Sequence, residues 1–320
     1  MTSLHSSGHL HRLLLTTAII TCGVYAVPPP PNLDVSRWTV DVTNEALEEA
    51  HHTRARRAAI DTTKYKYIWV SQCGYGVDKP ADLPAIEVAA TLQASDEAHQ
   101  TAAKLIYRMT RFMPLRMFEP LAKGGSVGVF SNSEVIGDFP EFQSTKNTEI
   151  CGSSCSGSCR YTCTADGRKI DDLVGYGGSR AVIREDNLLC QDSDPYRGTL
   201  NVLCHEFGHT INFRALNNTH NTVIKNSFST VADKWKSGTY ATSNRREYFA
   251  EAVTSYFLTS LTSESTSGGM NICGRGLCTD EWSSRQNLKD KDEEIFTLVD
   301  EVFTDHRLYL EGRIGVCNWQ

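Results

Sequence analysis

The stretch from Leu200 to Ile211, LNVLCHEFGHTI, is the most informative part of this sequence. Its apolar residues recur at three- and four-residue spacings, which is the pattern of a helix that buries one face. We therefore predict an amphipathic helix here, although Gly208 lowers the intrinsic preference for one. The residues predicted to face the core are Leu200, Leu203, Phe207 and Ile211.

Two histidines and a glutamate in this helix have the spacing of a zinc site. His205 and His209 are four residues apart, so they lie one turn apart on one helix face, where both imidazoles can reach the same metal ion. Glu206 projects beside them, toward the place of a metal-bound water. The alternative is a chance meeting of these residue types, which is rare in a chain with 10 histidines among 320 residues.

A catalytic zinc site needs a third protein ligand and keeps one position open. The long histidine motif of metzincins requires glycine and histidine where this sequence has Asn212 and Ala215, so that class is excluded. A second predicted helix, REYFAEAV at residues 246–253, offers Glu247 and Glu251 one turn apart, and a glutamate ligand would complete the site. The alternatives are a capping box between Asn244 and Glu247, and a solvated helix face for Glu251.

The spacing of these motifs resembles that of a known family. EYFAEAV begins 38 residues after His209, and Tyr240 lies seven residues before its first glutamate. In these features the chain resembles the catalytic domain of anthrax lethal factor-like zinc metallopeptidases, a branch of the glutamate-ligand zincins, and in particular secreted eukaryotic members. The resemblance covers residues 175–260 well and extends more loosely upstream, through Gly177-Gly178 and the segments 184–189 and 194–198.

The resemblance implies a zinc site and a catalytic base. It implies that Zn²⁺ is bound by His205, His209 and Glu247. Glu206 would be the catalytic glutamate.

The resemblance also implies two supporting groups. Tyr240 would be the active-site tyrosine, although it could instead be only a packing aromatic. Glu251 would orient a ligand histidine. This chain departs from the family in its many cysteines, including Cys204 beside the first histidine, and in a predicted propeptide, so the family's target preferences do not carry over.

The periodicity of the remaining sequence indicates an α+β fold. Residues 67–72, 125–130 and 181–183 are rich in β-branched and aromatic residues and are predicted as strands. Apolar residues at helical spacing predict a helix over 96–113, and helix dominates after Thr199. The expected fold is zincin-like, with a mixed β-sheet, an HExxH active-site helix and a second helix that carries the glutamate ligand.

Composition narrows the function classes. With 40% hydrophobic and 22% charged residues the chain is globular, and its formal charge of −6 argues against nucleic-acid binding. Eleven cysteines favour a compartment in which disulfides form.

The N-terminus predicts entry into the secretory pathway. An apolar run at residues 13–20 precedes small residues and then four prolines, which is typical of a signal peptide cut after Ala26. An uncleaved anchor is the alternative, but the run is short for a membrane span. Residues 1–26 are thus predicted as a signal peptide, and no membrane span is expected after processing.

A basic motif predicts a second processing step. Residues 54–57 read RARR, the Arg-x-Arg-Arg pattern of secretory-pathway processing proteases, and an ordinary basic surface turn is the alternative. On the favoured interpretation residues 27–57 are a propeptide, which makes the protein a zymogen, and residues 58–320 are the zinc metallopeptidase domain.

The ten cysteines left after signal removal suit up to five disulfides. The run from Cys151 to Cys163 is predicted as a stapled loop, with a structural zinc site as the alternative. Cys273 and Cys278 could close a short loop. Asn217-Asn218-Thr219 is a glycosylation sequon, a type of site that often stays unused.

Together these features predict a secreted, extracellular zinc endopeptidase that acts on peptide or protein substrates. Two alternatives stay open at this point: a non-catalytic secreted binding module on the same fold, and a zinc hydrolase of non-peptide amides. An intact Glu206 argues against the first, because a protein without catalysis has no chemical use for that carboxylate.

Overall fold

The computed structural model describes residues 60–164, 167–307 and 310–317. The predicted signal peptide, propeptide and Arg57 processing site lie outside these residues. The strands are β1 (Tyr65–Ser71), β2 (Gly74–Gly76), β3 (Ile86–Thr91), β4 (Ser126–Phe130), β5 (Gly175–Tyr176), β6 (Arg180–Arg184), β7 (Ile272–Cys273) and β8 (Gly276–Leu277).

Ten α-helices lie in the described part of the chain, and none of them is long and apolar enough to cross a membrane. They are α1 (Asp96–Thr110), α2 (Leu115–Gly124), α3 (Glu185–Leu188), α4 (Val202–Arg214), α5 (Asn218–Ser229), α6 (Val231–Lys234), α7 (Arg245–Tyr256), α8 (Glu264–Ser267), α9 (Glu281–Lys291) and α10 (Glu293–Thr304). Short 3₁₀ turns span Ile136–Asp138, Pro140–Thr145, Gly157–Thr162, Ile170–Asp172 and Tyr240–Thr242.

Six of the strands form one mixed sheet in the order β2-β1-β3-β4-β6-β5. The three central strands β3, β4 and β6 run parallel to one another, while β1 and β5 pair antiparallel with their neighbours. The mixed sheet followed by helices confirms the predicted α+β class. Strand β5 forms one edge of the sheet, and its Gly175 lies close to Val202 and Glu206 of helix α4.

The two faces of this sheet are buried in different ways. Successive strand residues point to opposite faces, so Val88 belongs to one core and Ala89 to the other. The larger core joins the sheet to α1, α2, α4, α7 and α10, and the smaller one lies under the 3₁₀ turns that follow β4. The zinc-motif helix α4 is therefore held against the sheet by buried apolar residues.

The predicted elements are present, with changed ends. The strands predicted at 67–72, 125–130 and 181–183 correspond to β1, β4 and β6. Helix α1 ends at Thr110 rather than Met113, since a residue before a proline avoids the helical conformation and Pro114 follows. Leu200 lies outside α4, because Asn201 caps that helix and its side chain accepts a hydrogen bond from the Cys204 amide.

Eight cysteines form four disulfides among the described residues: Cys151–Cys159, Cys155–Cys163, Cys190–Cys317 and Cys273–Cys278. The stapled loop and the short Cys273–Cys278 loop are confirmed, and the structural zinc alternative for the cysteine run is wrong, because its thiols are used in disulfides. Cys204 is buried, and burial raises the pKa of its thiol to about 12. A thiol with so high a pKa stays protonated and is a poor metal ligand.

Candidate metal centre

Helix α4 brings two imidazoles together in a buried position. His205 and His209 are 3% and 7% exposed, and their Nε2 atoms lie 3.2 Å apart. Buried Leu203, Phe207 and Ile211 fix the opposite side of the helix in the core, so the histidine face turns toward α7. The spacing of the motif and the amphipathic pattern together set this orientation.

Helix α7 is capped at its N-terminus by Asn244, and its two glutamates lie beside His205. The Asn244 side chain accepts hydrogen bonds from the backbone amides of Arg246 and Glu247. The Glu247 carboxylate does not return to the Asn244 amide, as a capping box requires, but lies on both histidines. The capping-box alternative for this side chain is therefore not what forms.

A glycine allows these two helices to approach closely. A Cβ added at Gly208 would lie 3.3 Å from the Cα of Ala250 on α7 and 3.6 Å from the Cβ of Val253. The middle glycine of HEFGH is thus a contact point between α4 and α7, since any side chain there would press on the partner backbone.

Three ligand atoms from the two helices have the spacing that a metal ion needs. Glu247 Oε2 lies 2.9 Å from His205 Nε2 and 3.4 Å from His209 Nε2, and all three atoms fall within 4.8 Å of one another. Ligands of a tetrahedral zinc ion, at bond lengths of about 2.0–2.2 Å, are separated by about 3.4 Å. Two imidazoles and one carboxylate are also a donor set that zinc accepts, so the residues fit the ion.

The three groups shift one another's pKa values. Burial alone would lower the pKa of His205, but Glu247 and Glu251 raise it well above its ordinary value. Burial likewise would lower the pKa of His209, and Glu247 raises it. In turn the two histidines hold the pKa of Glu247 far below its usual range against the opposing effect of burial. Glu247 is therefore an ionised carboxylate whose charge is directed at both imidazoles.

Glu251 lies at the other nitrogen of the first histidine. Its Oε1 is 3.0 Å from His205 Nδ1, and the residue is 1% exposed. The solvated-face alternative for Glu251 is therefore wrong. Such a carboxylate fixes the tautomer and the ring direction of a ligand histidine.

Tyr240 and Glu206 border the same three-residue cluster. The Tyr240 ring stacks on His205, with centroids 5.5 Å apart and planes inclined by 26°. Burial raises the pKa of Tyr240 well above its ordinary value, and Glu247 and Glu206 raise it further, so its hydroxyl keeps its proton. Glu206 is half-buried.

Gly177, just after β5, is a site residue whose role the sequence did not indicate. A Cβ at this position would lie 2.8 Å from Glu206 Oε2 and 2.8 Å from His209 Cδ2. The backbone at the sheet edge thus packs directly against the HEFGH motif. The one available signal was the Gly177-Gly178 pair, which the family resemblance included without a role.

Comparison with known proteins identifies the family of this chain. The family model described as "Anthrax toxin lethal factor, N- and C-terminal domain" matches residues 95–265, just over half of the chain, and this range includes every residue of the candidate metal centre. Among solved structures, the Pro-Pro endopeptidase PPEP-2 from Paenibacillus alvei is similar, with 20% identity over 68% of this chain and 97% of that one and a TM-score of 0.43. No curated protein matches the chain.

Proposed function

This chain belongs to the anthrax toxin lethal factor family and is a metalloendopeptidase, and on that premise we propose that it cleaves peptide bonds with a zinc ion bound by His205, His209 and Glu247. The observation that carries the proposal is the convergence of these three buried ligand atoms from two helices. Zinc, when bound, lowers the pKa of its water from about 15.7 toward about 7 and polarises a carbonyl group. The remaining chemistry is assigned to side chains of the protein.

Glu206 is proposed as the general base. It follows His205 directly in the helix and lies beside the ligand cluster, where Gly177 packs on its carboxylate. It would accept a proton from the attacking water on one carboxylate oxygen and pass that proton to the leaving amine. A peptide bond can break under neutral conditions only if the amine leaves protonated, so Glu206 must first accept a proton and then donate it.

Tyr240 and Glu251 are proposed as supporting groups. A neutral Tyr240 hydroxyl is able to donate a hydrogen bond to the carbonyl oxygen as negative charge develops there, a contribution typically of about 3 kcal/mol. Glu251 would hold the Nδ1 proton of His205, which leaves Nε2 free to bind the metal.

The experiment that tests the base is the substitution Glu206→Gln. We expect this variant to bind zinc as the wild type does and to lose nearly all peptidase activity, because an amide cannot accept the water proton. Activity is measured by digesting a peptide library with and without chelator, and zinc by elemental analysis. Equal activity in both proteins would remove Glu206 from the mechanism.

We also propose that the enzyme is secreted as a zymogen. The four disulfides among the described residues support an oxidising compartment. Residues 1–26 would then be the signal peptide, 27–57 the propeptide and 58–320 the active protease. N-terminal sequencing of the protein from culture medium is expected to begin at Ala58, and a start at Val27 would contradict the second cleavage.

A further inference from the structure

The sequence holds one Asn-x-Ser/Thr triplet, Asn217-Asn218-Thr219, and the proposed hydrolysis makes no use of it. Asn217 is the residue just before α5, and Asn218 and Thr219 are the first two residues of that helix. All three residues are exposed. Other asparagines of the chain lack the hydroxyl residue two positions later. A modification that needs this triplet can therefore occur only at Asn217.

The structure shows how Asn217 presents its side chain. Its backbone is extended, with φ −98° and ψ −179°, and its Oδ1 accepts hydrogen bonds from the backbone amides of Thr219 and His220. Both of these bonds end on the carbonyl oxygen of the side chain. The amide nitrogen Nδ2, which is the atom that a sugar would take, is on an exposed residue.

We propose that Asn217 carries an N-linked oligosaccharide, an inference that rests on the proposed secretion of the chain. In this transfer Nδ2 attacks the anomeric carbon of a lipid-diphosphate-linked oligosaccharide. The new bond joins Nδ2 to that carbon, the bond from the carbon to the diphosphate oxygen breaks, the electron pair leaves with the diphosphate, and one amide proton is released. The donor and the transferase are those of the secretory pathway.

The folded protein accommodates such a group without losing a contact. Oδ1 remains available to Thr219 and His220 after substitution on Nδ2, so the start of α5 is unchanged. The proposed metal ligands lie on α4 and α7, and the contacts described for them above are with one another, with Glu251 and with Tyr240. Zinc content and peptidase activity are therefore expected to be independent of the glycan.

Thr219 offers a clean test because only its backbone amide bonds to Asn217. The full chain is expressed in animal cells, recovered from the medium, and weighed by mass spectrometry before and after peptide-N-glycosidase treatment. We expect the wild type to lose the mass of one glycan and to show aspartate at position 217. Thr219→Ser keeps the triplet and should behave in the same way, whereas Thr219→Ala should show no shift and retain its zinc.

Each other result overturns the proposal in a recognisable way. Wild-type protein in the medium without a mass shift excludes the glycan while secretion stands. A shift that persists in Thr219→Ala places the sugar elsewhere. If the chain stays in the cytosol, the proposed secretion fails. The same chain is then expressed with an unrelated signal peptide in front of Val27. An unmodified Asn217 in that secreted protein refutes glycosylation itself.

Discussion

Glu247 and Glu251 lie one turn apart on α7, and they contact different nitrogens of the same imidazole. Glu247 reaches Nε2 of His205 and also His209, whereas Glu251 reaches Nδ1 alone. If His205 binds zinc through Nε2 as proposed, a carboxylate at that nitrogen and one at Nδ1 are expected to have separate effects on zinc binding. The difference can be measured.

Glu247→Ala is expected to abolish stable zinc binding, because it removes a ligand. Glu251→Ala is expected to weaken zinc affinity by about 10- to 100-fold and to leave an enzyme that high zinc restores. Both affinities follow from titration against a competing chelator. Glu119→Ala, on the exposed side of α2, serves as the matched control.

The reverse result would exchange the two roles, with Glu251→Ala free of metal and Glu247→Ala normal. No change in either variant would mean that the third ligand lies elsewhere.

Which of these residues the sequence could predict depends on how local their relations are. His205, Glu206 and His209 lie within five residues of one helix, so their spacing alone fixes their geometry. Glu247 is far from them in sequence, and the family resemblance was needed to choose it over Glu251. The contact of Gly177 with Glu206 depends on where a sheet edge meets a helix, and no periodicity in the sequence encodes that distance.

The proposed metal centre depends on the position of α4 relative to α7 more than on any other part of the fold. Each helix supplies part of the ligand set, so a change in their separation moves the ligands apart. Gly208 lies at this contact, where an added Cβ would be 3.3 Å from the Cα of Ala250. The sequence predicted that Gly208 lies in a helix. Its contact with α7 could be recognised only from the position of that second helix.

Gly208→Ala is expected to lower zinc affinity and, to a smaller degree, overall stability. Alanine gains about 1 kcal/mol of helix propensity, and overpacking against α7 costs about 1–3 kcal/mol, so the unfolding free energy falls by about 0–2 kcal/mol. The separation of α4 and α7 must grow by a few tenths of an ångström. Because the two histidines are on α4 and Glu247 is on α7, this change increases the distance between the ligand atoms of the two helices. Chelator titration and denaturant unfolding measure the two quantities.

Gly76→Ala is the matched control, since nothing lies within 4 Å of a Cβ at that position on β2. Zinc affinity equal to that of the wild type in Gly208→Ala would show that the two helices absorb a methyl group without moving the ligands.

For the molecule as a whole, the disulfides divide into local and long-range links. Three of them join cysteines eight or fewer residues apart, whereas Cys190–Cys317 spans 127 residues. The even cysteine count favoured disulfides, but the sequence could not select this pairing, because many pairings of ten cysteines are possible. Only the folded chain places Cys317 beside the segment that precedes α4.

Replacing Cys190 and Cys317 with serine is expected to destabilise the protein more than replacing Cys273 and Cys278. By loop-closure entropy the long link contributes about 5 kcal/mol and the short one, with a separation of 5 residues, about 2 kcal/mol. Denaturant unfolding of both double variants measures the difference in unfolding free energy. Equal losses would mean that loop entropy does not govern the effect.

The long disulfide also makes residues 190–317 a covalent ring that contains both helices of the proposed metal centre. One cut in an exposed loop of this ring, by another protease or by a second copy of this enzyme, opens the ring but leaves every residue attached to the same molecule. Separation of α4 from α7 by proteolysis therefore takes two cuts, or one cut and a reductant. A nicked enzyme can keep its ligands together and continue to work.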